Sequence, residues 1–153
     1  MREAPNLKAV LEFYLNSPHH QAMSITVVSV DNKLARMRVP YDKRFIGDPD
    51  TGAVHGGLVT TMMDATGGLA VLAQVSAGTS IATLDLRLDY LRSAKSGANL
   101  IGEAECFKVT RNIAFTRGTT YEENNAGDPI ANFIANYMIK PVGIDMATGR
   151  AGL

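Results

Sequence analysis

Along most of the chain the apolar positions recur at one of two spacings, and a single stretch obeys neither. Leu7, Val10, Leu11, Tyr14 and Leu15 fall at i, i+3, i+4, i+7 and i+8. That spacing marks one helical face and predicts an amphipathic helix over about residues 3–16, with Pro5 in its first turn. Asn16-Ser17-Pro18 is read as its end. From Met23 to Val39 two runs rich in β-branched residues, MSITVVSV and KLARMRV, meet at Asp31-Asn32 and predict a β-hairpin. Residues 41–52, YDKRFIGDPDTG, are dense in Asp, Gly and Pro and read as a loop. Beyond Ala77-Gly78 the pattern is that of strands. Residues 83–90 alternate, with Leu84, Leu86 and Leu88 on one face and Thr83, Asp85, Arg87 and Asp89 on the other, as a half-buried antiparallel strand does. Further strands are expected over about 100–110, 112–122 and 129–140, bounded by SAKSGAN, by Arg111-Asn112 and by Asn124 to Asp128. The tail, about residues 141–153, has little periodicity and is expected to fray.

The exception is GAVHGGLVTTMMDATGGLAVLAQVS, residues 52–76. Leu58, Met62, Met63, Leu69, Val71, Leu72 and Val75 make it apolar on every side, which predicts a buried helix over about residues 55–76. Its roughly 20 residues would reach about 30 Å, the width of a small domain. The order of helix, hairpin, long apolar helix and strands predicts one α+β domain over residues 1–153, a single antiparallel sheet curled round one helix. A sheet of that size has an edge to protect, and subunit pairing protects it.

Composition narrows the class. An apolar content of 46% is ample for one core. Fifteen basic residues balance fifteen acidic ones, which argues against a bulk nucleic-acid or anionic-membrane binder. The lone Cys106 excludes an internal disulfide and a Cys-rich metal site, and fits a reducing compartment. Residues 1–16 carry four charges and no long apolar core, so a signal peptide is not expected and a cytoplasmic location is. His19 and His20 are adjacent, cannot share a helical face, and are read as surface residues.

Asp64 is the chemical anomaly. A carboxylate inside an apolar helix costs several kcal/mol unless it is paired or protonated, and no Lys or Arg occurs between Arg44 and Arg87. His55 is the nearest ionisable group. Nine residues at about 100° each put the two on opposite sides of one helix, about 13 Å apart along it. If both act on one substrate, they come from different copies of the chain.

Val54-His55-Gly56-Gly57, with Asp64 nine positions after the histidine and ATLDLRLDYLRSAKSG behind it, resembles the PaaI-type acyl-CoA thioesterases of the hotdog fold. The likeness covers roughly residues 44–140. It implies a sheet wrapped round the central helix, dimers joined through the sheet edge that commonly pair into tetramers, and thioester hydrolysis at the dimer interface. No metal or separate cofactor is implied, since coenzyme A is part of the substrate. Carried over by residue, the Gly56 N–H at the helix N-terminus would meet the thioester oxygen, where the helix dipole favours negative charge. His55 would stand beside it and Gly57 would line the substrate. Asp64 of the facing subunit would be general base or nucleophile, and Thr83 would help to hold the water. Arg92, Lys95, Arg111 and Asn112, in turns, would meet the phosphates of coenzyme A.

One departure stands in the loop Phe45-Ile46-Gly47-Asp48-Pro49, where Asp48 takes the place of the family's usual Asn. An ionised carboxylate accepts hydrogen bonds but donates none to an oxyanion, although it can orient His55. Two rival readings follow: an acyl-thioester hydratase or dehydratase of the same fold, and a non-catalytic acyl-CoA-binding or regulatory domain. The plainer structural readings make Asp64 a cap at a helix break, Gly67-Gly68 a close-packing site and Cys106 a buried thiol. The acyl group is not legible in the sequence.

Overall fold

The computed structural model describes residues 11, 12, 15–76 and 78–141. Most of the predicted 3–16 helix and all but the first residue of the predicted tail lie outside them; Leu11, Glu12 and Leu15 are helical. Pro18 does not close a helix but opens one, α1 (Pro18–Ala22). At the first helical position its fixed φ suits the turn, and the missing N–H has no intrahelical partner to lose. The hairpin follows as β1 (Thr26–Val30) and β2 (Leu34–Val39). Its turn is held by the Asp31 carboxylate, which accepts from the N–H groups of Lys33 and Leu34, both at 3.0 Å.

Residues 41–52, expected as plain loop, carry more order than that. A single 3₁₀ turn (Lys43–Phe45) leads into β3 (Ile46–Asp48), which pairs antiparallel with β4 (Ala53–Val54). This small ribbon delivers the chain to the central helix α2 (Gly56–Leu72). Four strands complete the fold: β5 (Thr79–Tyr90), β6 (Leu100–Val109), β7 (Ile113–Glu122) and β8 (Ala131–Pro141). They join the hairpin in one six-stranded antiparallel sheet of order β1-β2-β6-β7-β8-β5. The result is the expected hotdog arrangement, an antiparallel sheet around one principal helix.

α2 lies across the concave face and is buried from Leu58 to Val71 except at Thr60, Thr61 and Asp64. Met62, Met63 and Leu69 of the helix are fully buried, as are Met37 and Tyr137 of the sheet. Close approach of helix and sheet depends on Gly102 in β6, where a Cβ would come within 2.9 Å of Thr66 Oγ1. The helix is not wrapped on every side. Its one polar stripe, Gly57, Thr60, Thr61 and Asp64, is half-buried or exposed and lies along β5, where the sheet ends.

β5 does not alternate strictly. Thr83 pairs with Tyr137 and Asp85 with Asn136, so Leu84 is an extra residue in a β-bulge. The bulge reverses the phase of everything before it. Tyr137, Ala135 and Phe133 face the core, and their partners Thr83, Leu86 and Leu88 therefore share the inner face. Leu84 turns outward, 56% exposed. Thr83 thus faces the helix, where plain alternation had placed it on the outer, polar face.

Candidate active site

The N-terminus of α2 is one corner of the site. His55 caps the helix with its own ring: the Gly57 N–H donates to His55 Nδ1 at 2.9 Å. An Nδ1 that accepts leaves the ring proton on Nε2, which becomes a donor pointing away from the helix. Gly57 has to be glycine here, since a Cβ would lie 2.9 Å from Nδ1. Its N–H is committed to the cap, so it is not free for a substrate. Gly56, at the first helical position, has no intrahelical acceptor for its N–H, and that group points out of the helix end. The ribbon places the corner: the His55 N–H donates to the Phe45 carbonyl at 2.7 Å, and Gly47 lies flush against His55.

Tyr90, the last residue of β5, ties this corner to the sheet edge. Its hydroxyl donates to the Gly56 carbonyl at 2.8 Å and stands 3.0 Å from Thr60 Oγ1. Beside the corner is a groove of about 390 Å³ lined by His55 at the cap, by Gly57, Leu58 and Thr61 of the helix, by Arg44 and Phe45 of the 3₁₀ turn, and by Met23. It reaches Thr61, one turn short of Asp64. Arg44 had no part in the sequence-based site. Its guanidinium pairs with Asp42 at 2.7 Å and lies over the Phe45 ring at 5.3 Å. The available signal was its position as the last cation before a long cation-free stretch.

Asp64 is half-buried rather than buried, because the sheet covers the polar stripe of α2 from one side only. Its carboxylate is held by hydroxyls and by no cation among the described residues. Thr83 Oγ1 donates to Oδ1 at 2.7 Å. The Tyr137 hydroxyl donates to the Asp64 main-chain oxygen at 2.9 Å and lies 3.4 Å from Oδ1. No described residue hydrogen-bonds Oδ2. Nothing here caps a broken helix, since α2 runs unbroken through Gly67 and Gly68 to Leu72.

The remaining candidates fall in different places. The Asp48 carboxylate accepts from Thr51 Oγ1 at 2.7 Å and from the Asp50 N–H at 3.0 Å. These bonds hold its pKa below the usual carboxylate value, the Thr51 hydroxyl most strongly. It shapes the β3–β4 turn and makes no hydrogen bond to His55. Arg92 is not a free cation. Its guanidinium forks onto Glu122 at 2.7 and 2.6 Å and also bonds the Asp128 carbonyl. Glu122 is buried, and the Arg92 guanidinium pulls its pKa from 4.5 down to about 2 against the opposing effect of burial. Arg92 therefore serves the fold, its guanidinium committed to Glu122 and Asp128. Lys95 gives its backbone N–H to Glu122 at 2.9 Å and leaves an exposed side chain. Its loop is at the helix N-terminal end, with Ser96 packed against Gly52. Arg111 and Asn112 sit in the β6–β7 turn, where Arg111 lines a second cavity of about 140 Å³ with Ser76 and Thr79. That is the other end of α2, roughly 25 Å away. Within one chain they share no site with His55.

Two assemblies therefore stand on one helix: a corner that offers N–H donors to a developing oxyanion, and a half-exposed carboxylate able to accept a proton. Among the described residues no three His, Cys, Asp or Glu side chains are grouped as metal ligands. Nor is any described helix long and apolar enough to cross a membrane.

The family model of the thioesterase superfamily matches residues 51–127, which include the corner, Asp64 and Thr83. A protein of Halobacterium salinarum, provisionally named an esterase, is 33% identical over 113 residues, which are 70% of this chain and 72% of its own. A solved structure from Pseudomonas aeruginosa is 37% identical with a TM-score of 0.71, over 88% of this chain and 95% of that one. The phenylacetic acid degradation protein PaaI of Thermus thermophilus, solved as an asparagine-to-aspartate variant, is 22% identical with a TM-score of 0.68. That match covers 80% of this chain and 98% of that one, and it speaks to the fold alone.

Proposed function

Because the chain belongs to the thioesterase superfamily, we propose that it hydrolyses acyl-CoA thioesters to the free acid and coenzyme A. The thioester carbonyl oxygen lies at the His55–Gly56 corner, where the Gly56 N–H and the His55 Nε2–H polarise it and the helix dipole steadies the tetrahedral oxyanion. A water held against Asp64 loses a proton to Oδ2 as its oxygen bonds to the carbonyl carbon. The C–S bond then breaks, the thiolate leaves with the electron pair, and the proton taken up by Asp64 returns to sulfur. Atoms and charge balance without a cofactor.

The two assemblies belong to different copies. His55 and Asp64 are nine residues apart on one rigid helix, so a single chain cannot close them on one carbonyl. Pairing of two chains through β5 supplies the missing half. This strand is a sheet edge of twelve residues, Leu84, Tyr90 and Leu91 on or next to it are all at least half exposed, and an open edge of that length calls for cover. The groove beside His55 receives the acyl group.

The observation that carries this reading is the hydrogen bond from Thr83, on that open edge, to the carboxylate of Asp64. It sets the acid at the strand that would face a partner. The test is a panel of acyl-CoAs spanning short, medium and aryl acyl groups, read by release of free thiol. Thiol release that disappears in Asp64→Ala while acyl-CoA binding persists is the expected result. Binding without turnover on every member makes the protein a binding module instead.

A further inference from the structure

We infer that Tyr137 is a positioning residue for Asp64 and that Gly67 exists to admit it; this rests on the role proposed for Asp64. Tyr137 is 1% exposed, on β8, and pairs across the strands with Thr83 of β5. The two hydroxyls therefore stand side by side beneath the helix and converge on one residue. Thr83 takes the side chain and Tyr137 chiefly the main chain, at 2.7 and 2.9 Å, with the Tyr137 hydroxyl 3.4 Å from the same Oδ1 that Thr83 engages. Both approach from the Oδ1 side. The carboxylate is pinned in one orientation, with Oδ2 left for the reacting water.

A buried tyrosine needs some acceptor for its hydroxyl, and by itself the bond to a helix carbonyl meets that need. Gly67 adds a second, independent sign. Glycine in the middle of a helix is a destabilising choice, and here a Cβ would run into the Tyr137 hydroxyl, with the Phe133 ring at 3.1 Å and Thr116 Oγ1 at 3.2 Å. The helix accepts that cost where the hydroxyl reaches the Asp64 carbonyl, one turn before. The Leu84 bulge is the third part, because without it Thr83 faces away and the pair of hydroxyls does not form.

Three variants test the cradle: Tyr137→Phe, Gly67→Ala and the two combined. Tyr137→Phe keeps the ring in the core and removes one oxygen. It should lower kcat severalfold, because the bond lost is the one to the main chain that carries the carboxylate, a neutral bond of about 1 kcal/mol, with KM within about twofold and Tm lowered by a few degrees. A merely structural hydroxyl would lower Tm and leave kcat untouched. Gly67→Ala should lower both kcat and Tm. In the combined variant the obstructing oxygen is gone, so Tm should rise above that of Gly67→Ala alone and kcat should match Tyr137→Phe. Wild-type kcat in Tyr137→Phe, or Tm losses that simply add, overturns the inference. If the wild-type protein releases thiol from no acyl-CoA, the hydrolase reading itself falls, and the coupling of Tm values alone decides the fit of Tyr137 to Gly67.

Discussion

Replacing Thr83 by Val removes one proton donor and almost nothing else. The side chains are near isosteres, and Val suits a β-strand at least as well as Thr, so the fold has no reason to yield. What disappears is a 2.7 Å bond from Oγ1 to Asp64 Oδ1. Hydrogen bonds to charged groups contribute about 1.5–3 kcal/mol. Thr83 is exposed and Asp64 only half-buried, so water competes and the lower end applies. About 1.4 kcal/mol corresponds to a tenfold change in rate. Thr83→Val is therefore expected to lower kcat about tenfold in the thiol-release assay, with KM nearly unchanged and Tm lowered by a few degrees at most. Thr83→Ser, which retains the donor, should stay within about threefold of wild type. A Val variant at full rate, or a Ser variant as slow as Val, refutes the claim that this hydroxyl orients the acid.

Gly57→Ala puts a methyl 2.9 Å from His55 Nδ1; it should break the cap, lower Tm by several degrees and reduce kcat, measured by calorimetry and thiol release together. Acid should destabilise the protein through Glu122, whose carboxyl is lowered from 4.5 to about 2, first by the Arg92 guanidinium. A depressed carboxylate contributes fully above its unfolded value and loses that contribution as pH falls from about 4.5 towards 2, here at most about 3 kcal/mol. Denaturant titrations across that range should show the loss, and Glu122→Gln should flatten the slope; an unchanged slope removes Glu122 as its source. Arg92→Met leaves Glu122 buried without its cation and should cost about 3–5 kcal/mol of stability, while kcat of the folded protein is retained. Cys106 is 2% exposed, and burial pushes its thiol up to about 11. It should therefore react with a thiol reagent only on unfolding, and rapid labelling of the native protein would contradict its placement.

The parts of the site readable beforehand are those whose geometry is local. His55, Gly56 and Gly57 are consecutive, and the cap they form spans two residues. Asp64 stood out because one acid in an apolar helix needs a reason. The ion pairs of Arg92 were not legible, because its partners Glu122 and Asp128 lie some thirty residues on in the chain, and nothing in a turn reveals that a guanidinium is occupied. Gly67 was legible as a close-packing site and is one, but Tyr137 gave no signal, and a strand tyrosine and a helical glycine become related only when β8 is laid under α2.

Element type and order followed from periodicity along the chain. Apolar spacing specifies the face that a segment must bury, and six strands with one all-apolar helix have few ways to bury theirs together. Which side chains meet is another matter. Register across the sheet depends on hydrogen bonding between segments far apart in sequence, and one extra residue in β5 moves Thr83 from the outer face to the side of Asp64. That is why the acid and Thr83 could be named from the chain, while the bond between them and the part played by Tyr137 came to light only in three dimensions.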